Sequence, residues 1–220
     1  YQQEETSSSM VVDAWYNKSL WLYLLTPFSL IYSFVASRRR RKFLSGKRNS
    51  WKPDTPIIIV GNITIGGTGK TPLVKYIANE LKDLGYKPGI VSRGYGGNYS
   101  GTHEVNSKST YKETGDEAQI LSKLNMPFYL DRNRPRAVKN LVENNDCDVV
   151  IADDGLQHYQ LGRDIEIVVI DGARRLGNSL CFPAGPLRES SARLNSVDFI
   201  VNNGGPTGEG ESLMTISPAN

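Results

Sequence analysis

The chain has 220 residues, enough for one α/β domain with a sizeable core, and 39% of them are hydrophobic. Its net charge of +3 is too small to indicate a nucleic-acid partner, so we expect none. The charge is unevenly distributed, because the basic block from Arg38 to Lys52 contains no acidic residue. Cys147 and Cys181 lack the spacing of a metal site, which favours reduced thiols in a cytoplasmic protein.

Both ends of the sequence carry expectations of their own. Met10 is a plausible start, so residues 1–9 are interpreted as an upstream artefact or a tag. At the other end, residues 217–220 follow a stretch that is typical of a strand. We therefore expect the chain to be incomplete.

An uncharged stretch of seventeen residues, Leu20–Ala36, precedes the basic block. It is short for a membrane-spanning helix, and Pro27 weakens that interpretation further. The charge pattern argues against a secretory signal, because such a signal normally has its positive charge before the apolar run. A buried core helix and an interfacial helix with a basic collar both remain open, and we favour the interfacial helix. Aromatic residues typical of a membrane interface support it: Trp15, Trp21, Tyr23 and Tyr32.

A phosphate-binding loop is predicted after the β-branched run Ile57–Val60. The glycine-rich turn at residues 61–69 is followed by Lys70 and Thr71, and apolar residues at helical spacing predict a helix over Thr71–Leu84. Thr64 stands where the general motif has its first glycine. A turn with an incidental Lys-Thr is the alternative, but the strand before and the helix after favour phosphate binding. The predicted nucleotide-binding residues are Gly66, Gly67, Thr68, Gly69, Lys70, Thr71 and Pro72.

Strand and helix patterns alternate along the rest of the chain, which indicates an α/β fold. The predicted strands are Pro88–Ser92, Pro127–Leu130, Asp148–Asp153, Ile165–Asp171 and Val197–Asn203, the last closing the sheet, and the predicted helices are Gly115–Leu124 and Arg134–Glu143. Gly115–Leu124 begins with Asp116 and Glu117, whose simplest local role is to complement the helix dipole.

Residues 93–101 are rich in glycine and are either a flexible connection or a substrate loop that offers Arg93 and Tyr95. Arg174, Arg175 and Arg188 are candidates for phosphate contact, although exposed arginines are often only solvated.

A second strong signal follows the strand that ends at Asp153. Asp153 and Asp154, downstream of a phosphate loop, have the Walker-B arrangement that orders Mg²⁺. Acidic residues at strand ends also occur in ordinary turns, but the pairing with Lys70 and Thr71 favours the metal. The predicted metal-binding residues are therefore Thr71, Asp153 and Asp154.

Five motifs together resemble the tetraacyldisaccharide 4'-kinases, the LpxK family of lipid A biosynthesis, from about Trp15 to the last residue. They occur in the order Gly61–Pro72, Ser92–Tyr95, Gly115–Glu117, Asp153–His158 and Pro183–Glu189. The Thr64 departure is shared with the family, whereas Ala118 and Leu156 replace an expected proline and phenylalanine.

The resemblance implies MgATP-dependent phosphorylation of the 4'-hydroxyl of tetraacyldisaccharide 1-phosphate, giving lipid IVA, at the cytoplasmic face of the inner membrane. It implies Asp116 as the catalytic base, with Lys70 and Arg188 as further catalytic residues. The implied substrate contacts are Arg93, Tyr95, Glu117, Gln157 and His158.

We therefore expect a P-loop NTPase-like α/β fold with a mostly parallel sheet flanked by helices and an N-terminal membrane-interface helix. Residues 1–53 would form the tail, that helix and the basic collar, and residues 54–220 the kinase core. The family's C-terminal part, with a histidine that orients the base, would follow. Two alternatives stay open: an inactive fragment of the kinase, and a membrane-associated NTPase switch, although Asn202-Asn203 does not match a GTPase's base-reading motif.

Overall fold

The computed structural model describes residues 11–17, 19–106 and 108–216. The proposed start at Met10, residues 1–9 before it and the C-terminal residues 217–220 lie outside the described residues.

One eight-stranded sheet organises the fold, in the order β3-β4-β2-β5-β1-β6-β7-β8. Every neighbouring pair is parallel except β3 and β4. β1, β2 and β5 are buried along their whole length, as expected for apolar strands covered on both faces. The strands are β1 Ile57–Gly61, β2 Pro88–Ser92, β3 His103–Glu104, β4 Phe128–Leu130, β5 Val149–Asp153, β6 Ile165–Asp171, β7 Phe199–Asn203 and β8 Glu211–Met214.

This sheet confirms the predicted fold class and corrects one prediction. The strand ending at Asn203 does not close the sheet, because β8 pairs in parallel with β7 outside it. β8 is the strand expected before residues 217–220, but its short pattern, with Leu213 exposed, does not indicate that it joins this sheet.

Helices cover both faces of the sheet. α3 and α5 contribute to the apolar cluster on one face, and α6 contributes to the cluster on the other. The helices are α1 (residues 11–17), α2 Thr26–Leu44, α3 Lys70–Asp83, α4 Tyr111–Thr114, α5 Asp116–Ser122 and α6 Arg134–Asn144, with 3₁₀ turns at Leu20–Leu25 and Ser191–Ser196.

The uncharged N-terminal stretch forms a 3₁₀ turn and then α2, which also carries the basic residues up to Lys42. Pro27 lies in the first turn of α2, where its missing N–H costs no hydrogen bond. Within the described residues, Leu20–Leu44 is the one helical stretch long and apolar enough to cross a membrane, and 11% of its apolar window is buried. A buried core helix is therefore the wrong alternative. The exposed apolar side chains of α2 include Phe28, Leu30, Ile31, Phe34 and Val35.

A few contacts fix α2 and α1 against the core. The Ala184 N–H donates to Ser29 Oγ over 2.9 Å, and the Phe43 and Tyr159 ring centroids lie 6.0 Å apart. Trp15 of α1 donates from Nε1 to the Pro183 carbonyl over 3.0 Å. The exposed apolar helix is thus attached to the core at Ala184 and Tyr159.

Parallel pairing places the carboxyl ends of β1, β2, β5, β6 and β7 at one edge of the sheet. From central β1 the chain crosses to β2 on one side, whereas β6 lies on the other side. Such a reversal leaves a crevice at the carboxyl edge, where ligands of open α/β sheets bind.

Candidate active site

The glycine-rich loop after β1 has the backbone shape of an anion-binding turn. Gly66 and Gly69 have φ values of +103° and +91°, a region that strains residues with a side chain. α3 begins at Lys70, and its N-cap residue is Gly69, so no N-cap side chain bonds to the first N–H groups of the helix. The first N–H groups of α3 are therefore available to an anion.

Two backbone hydrogen bonds tie this loop to the segment that contains Arg188. The Ile65 N–H donates to the Pro186 carbonyl over 2.8 Å, and the Arg188 N–H donates to the Ile63 carbonyl over 2.7 Å. Arg188 is therefore held beside the loop by its own backbone.

Asp154 joins two cations next to the loop. Arg188 Nη1 lies 3.0 Å from Asp154 Oδ1, and Lys70 Nζ lies 3.6 Å from the same oxygen. Burial alone would raise the pKa of Asp154, but the charges of Lys70 and Arg188 hold that pKa below its ordinary value. The structure thus brings together Lys70, Asp154 and Arg188.

Asp153 is buried beside this cluster, with 1% of its surface exposed. Ser92 Oγ donates to Asp153 Oδ2 over 3.3 Å, whereas Oδ1 has no hydrogen-bond partner within the described part of the chain. Burial raises the pKa of Asp153 to about 6, against the attraction of Lys70. Its unpaired oxygen is the feature expected of a carboxylate that awaits a cation or a cation-bound water.

Ser92 and Arg134 are functional candidates that sequence reasoning missed. Arg134 is 1% exposed, and it donates from Nη2 to the Asp153 carbonyl over 2.7 Å and from Nη1 to the Asp131 carbonyl over 3.1 Å. Burial lowers the pKa of Arg134 to about 10, so its charge persists near neutral pH. Ser92 opens a motif already noted, but nothing local distinguishes Arg134 from a helix-start arginine.

The residues predicted to bind Mg²⁺ have the oxygen donor atoms that this ion prefers. The described residues contain no group of three or more His, Cys, Asp or Glu side chains arranged for a metal. Mg²⁺ needs no such group, since it keeps several waters and shares substrate phosphates with one or two carboxylates. Asp153 with its unpaired oxygen, Asp154 and the buried Thr71 supply oxygen donors of this kind.

Asp116 and Glu117 are exposed at the start of α5, and Gly115 before them packs against the Tyr95 carbonyl. The charge of Glu117 contributes to the raised pKa of Asp153. Asp116 makes no hydrogen bond or ion pair to another described residue, so its predicted role as the base stays a prediction.

The remaining predicted substrate residues have no direct contact to the Lys70–Asp154–Arg188 cluster among the described hydrogen bonds and ion pairs. Arg93 is exposed, and Tyr95 is 82% exposed. Gln157 Nε2 donates to the Asn62 carbonyl over 3.0 Å, at the root of the loop. Burial lowers the pKa of His158 to about 4, and the charges of Arg134, Arg93 and Arg39 add to that effect. His158 is therefore neutral near pH 7.

Of the other two arginine candidates, only Arg174 reaches the loop, where it donates from Nη2 to the Gly67 carbonyl. Arg175 instead forms a bidentate pair with Glu211 at 2.6 and 2.7 Å.

These elements define a P-loop nucleotide-binding protein. They are a buried strand, a glycine-rich loop that ends in Lys-Thr, the helix that follows it, and a neighbouring strand that ends in aspartates. The family model described as tetraacyldisaccharide-1-P 4'-kinase, LpxK, matches residues 21–218. The chain therefore belongs to the LpxK family.

Individual relatives agree with this assignment. The tetraacyldisaccharide 4'-kinase of Shewanella frigidimarina is 48% identical over 93% of this chain and 62% of its own length. That of Pseudoalteromonas atlantica is 49% identical over 88% of this chain and 64% of its own. The solved "apo" form LpxK from Aquifex aeolicus in complex with ATP is 32% identical, with a TM-score of 0.75, over 83% of this chain and 59% of that chain. The chain thus spans less than two thirds of the length of these relatives.

Proposed function

We propose that the protein of this chain is an ATP-dependent kinase that phosphorylates the 4'-hydroxyl of tetraacyldisaccharide 1-phosphate and gives lipid IVA in lipid A biosynthesis. The observation that carries the proposal is the chain of charged contacts from Lys70 through Asp154 to Arg188 beside the phosphate loop. Membership of the LpxK family and the ATP complex of the Aquifex aeolicus relative support it.

In this reaction the sugar hydroxyl oxygen attacks the γ-phosphorus, the bond from that phosphorus to the β–γ bridging oxygen breaks, and ADP leaves. Lys70, Arg188 and the N–H groups of the loop stabilise the charge on the phosphate oxygens. The hydroxyl proton goes to the Asp116 carboxylate, since an exposed carboxylate at a helix start is free to accept it.

Mg²⁺ would be held by Thr71, Asp153 and Asp154 together with water and ATP, and it supplies positive charge to the polyphosphate. Lys70, whose ammonium group lies 3.6 Å from Asp154 Oδ1, would contact the phosphates from the same side. Arg93, Tyr95, Glu117, Gln157 and His158 form the walls available to the sugar.

The apolar face of α2 would place the site at the cytoplasmic leaflet of the inner membrane, where the acyl chains of the substrate lie. Arg39 of α2 is close enough to His158 to lower its pKa, which supports a basic collar near the acceptor's phosphate. Residues 1–53 are accordingly proposed as the membrane-associated part and residues 54–220 as the kinase core.

The test is transfer of labelled γ-phosphate from ATP to tetraacyldisaccharide 1-phosphate in detergent micelles. This chain is compared with a version extended to the length of its relatives. We expect transfer by the extended version, and inactivity of this chain alone would identify it as a fragment. Nucleotide hydrolysis that neither needs nor phosphorylates the lipid, in both versions, would contradict the kinase and favour a switch.

A further inference from the structure

Three consecutive carbonyls of the phosphate loop each accept a hydrogen bond from a side chain. Asn62 Nδ2 donates to the Gly66 carbonyl over 3.2 Å. Arg174 Nη2 donates to the Gly67 carbonyl. Asn203 Nδ2 donates to the Thr68 carbonyl over 3.1 Å.

These bonds determine where the opposite sides of the same peptide units point. A trans peptide unit is planar, and its N–H points away from its C=O. Pinning the carbonyls of Gly66, Gly67 and Thr68 therefore turns the N–H groups of Gly67, Thr68 and Gly69 to the other side. In the described part of the chain those three N–H groups donate to nothing. Successive, unpaired N–H groups of this kind are the donors of an anion-binding nest.

A second observation points to a ligand at this place. Thr68 is 2% exposed, and its hydroxyl has no hydrogen-bond partner within the described ranges. A buried hydroxyl without a partner is costly unless a ligand or water completes it.

Each of the three donors is itself held by the core. Asn62 follows β1 directly and is fully buried. Arg174 is fixed by Asp171, which accepts from its Nε over 2.8 Å, and by the Tyr16 ring of α1, whose centroid lies 5.7 Å from the guanidinium carbon. Asn203 is the last residue of β7, and the Gly172 N–H donates to its carbonyl over 3.0 Å.

We propose that Asn62, Arg174 and Asn203 are positioning residues that preset the phosphate loop for the nucleotide's phosphates. They hold the loop from three strand ends, those of β1, β6 and β7, without touching the nucleotide. Through Tyr16, the N-terminal helix α1 becomes part of that support. The inference rests on the proposed function, since it names what makes the ATP site of that function competent.

The test measures ATP and ADP affinity by calorimetric titration of the extended version in EDTA, so that metal-binding residues do not contribute. Asn203→Ala removes one neutral donor and should weaken both nucleotides about five- to tenfold. Arg174→Gln removes a charged donor and should weaken them about tenfold or more, with Arg174→Lys between Arg174→Gln and the unsubstituted extended version. The nucleotide-free unfolding midpoint of Asn203→Ala should not change, and the amide resonances of Gly67, Thr68 and Gly69 should move.

Two matched variants control for charge and for amide loss. Arg175→Gln removes the same charge one residue away, where the partner is Glu211. Asn145→Ala removes an asparagine that donates to the Leu141 carbonyl at the end of α6. Neither should change nucleotide affinity.

Nucleotide affinities of Asn203→Ala and Arg174→Gln within twofold of the unsubstituted extended version would overturn the positioning role. Failure of the unsubstituted extended version to bind either nucleotide, in EDTA and in the presence of Mg²⁺, would overturn both this role and the proposed function. Nucleotide binding that responds to the variants as expected, without lipid phosphorylation by the extended version, would overturn the proposed function alone.

Discussion

Single residues of the site owe their properties to neighbours that are distant in sequence. Asp153 and Asp154 are adjacent, yet one lies in a buried environment that raises its pKa to about 6 and the other is paired with Lys70 and Arg188. The aspartates and the phosphate loop were predictable, because their motifs are local. Arg134 was not, because its role depends on a fold that brings α6 under the end of β5.

At Asp153 stability and activity should respond in opposite directions. Asp153→Asn removes a buried, desolvated carboxylate, so the nucleotide-free unfolding midpoint should stay constant or rise. Phosphate transfer by the extended version should fall about 100-fold or more, because a carboxylate that would hold Mg²⁺ beside the polyphosphate is lost. Calorimetric unfolding and the transfer assay measure these two effects.

Asp148→Asn is the matched control, since Asp148 lies just before the other end of β5 and accepts from the Lys87 N–H over 2.8 Å. Its transfer activity should not change. A marked loss of stability in Asp153→Asn, with transfer retained, would show that this carboxylate is structural.

A helix or strand was predictable where its own residues carry a clear apolar pattern. β2 and β6 have the predicted bounds, since each is an apolar run bounded by turn residues. β8 was not placed in the sheet, because an edge strand needs only one partner and carries little apolar pattern. Its position depends instead on Glu211, whose carboxylate accepts from Arg175 and from the Gly208 N–H.

The attachment of β8 should depend on pH. The hydrogen bonds from Arg175 lower the pKa of Glu211 to about 2, below its ordinary value of 4.5. As the pH falls, Glu211 therefore binds a proton in the unfolded chain before it does so in the folded one. Its contribution to the free energy of unfolding is complete above about pH 4.5 and is lost towards pH 2. Denaturant unfolding should show the chain to be more stable than Glu211→Gln at pH 7, with a gap that narrows below pH 4.5. A gap that stays constant with pH would contradict the ion pair.

The exposed face of α2 should determine membrane attachment. Ile31 and Phe34 are 62% and 57% exposed, and replacing both with glutamine removes about 3 kcal/mol or more of possible apolar burial. Sedimentation with vesicles of anionic phospholipid should therefore show binding weakened by at least about tenfold, while ATP affinity is kept.

Tyr76→Gln is the control on α3, because Tyr76 is 60% exposed but lies outside the apolar helix. Unchanged vesicle binding by the α2 double variant would contradict a membrane role for this face.

At the scale of the whole molecule, the strand order determines which of these residues and elements meet. β1 is central, with the aspartates of β5 on one side and the donors that follow β6 and end β7 on the other. Only this arrangement brings residues 61–71, 153–154, 174, 188 and 203 to one crevice. Sequence reasoning predicted the motifs, and the family resemblance implied the roles of their residues. The hydrogen bonds from Arg174 and Asn203 to the carbonyls of the phosphate loop could not be predicted, since each joins residues more than a hundred positions apart in the sequence.

The central claim is that the crevice transfers phosphate to a lipid hydroxyl with Asp116 as the base. Its most direct test is transfer of labelled γ-phosphate from ATP to tetraacyldisaccharide 1-phosphate by the extended version, with and without Asp116→Ala. We predict lipid phosphorylation that falls by about 100-fold or more in Asp116→Ala, while ATP affinity is unchanged. Full transfer by Asp116→Ala would contradict Asp116 as the base, and no transfer by the unsubstituted extended version would contradict the kinase itself.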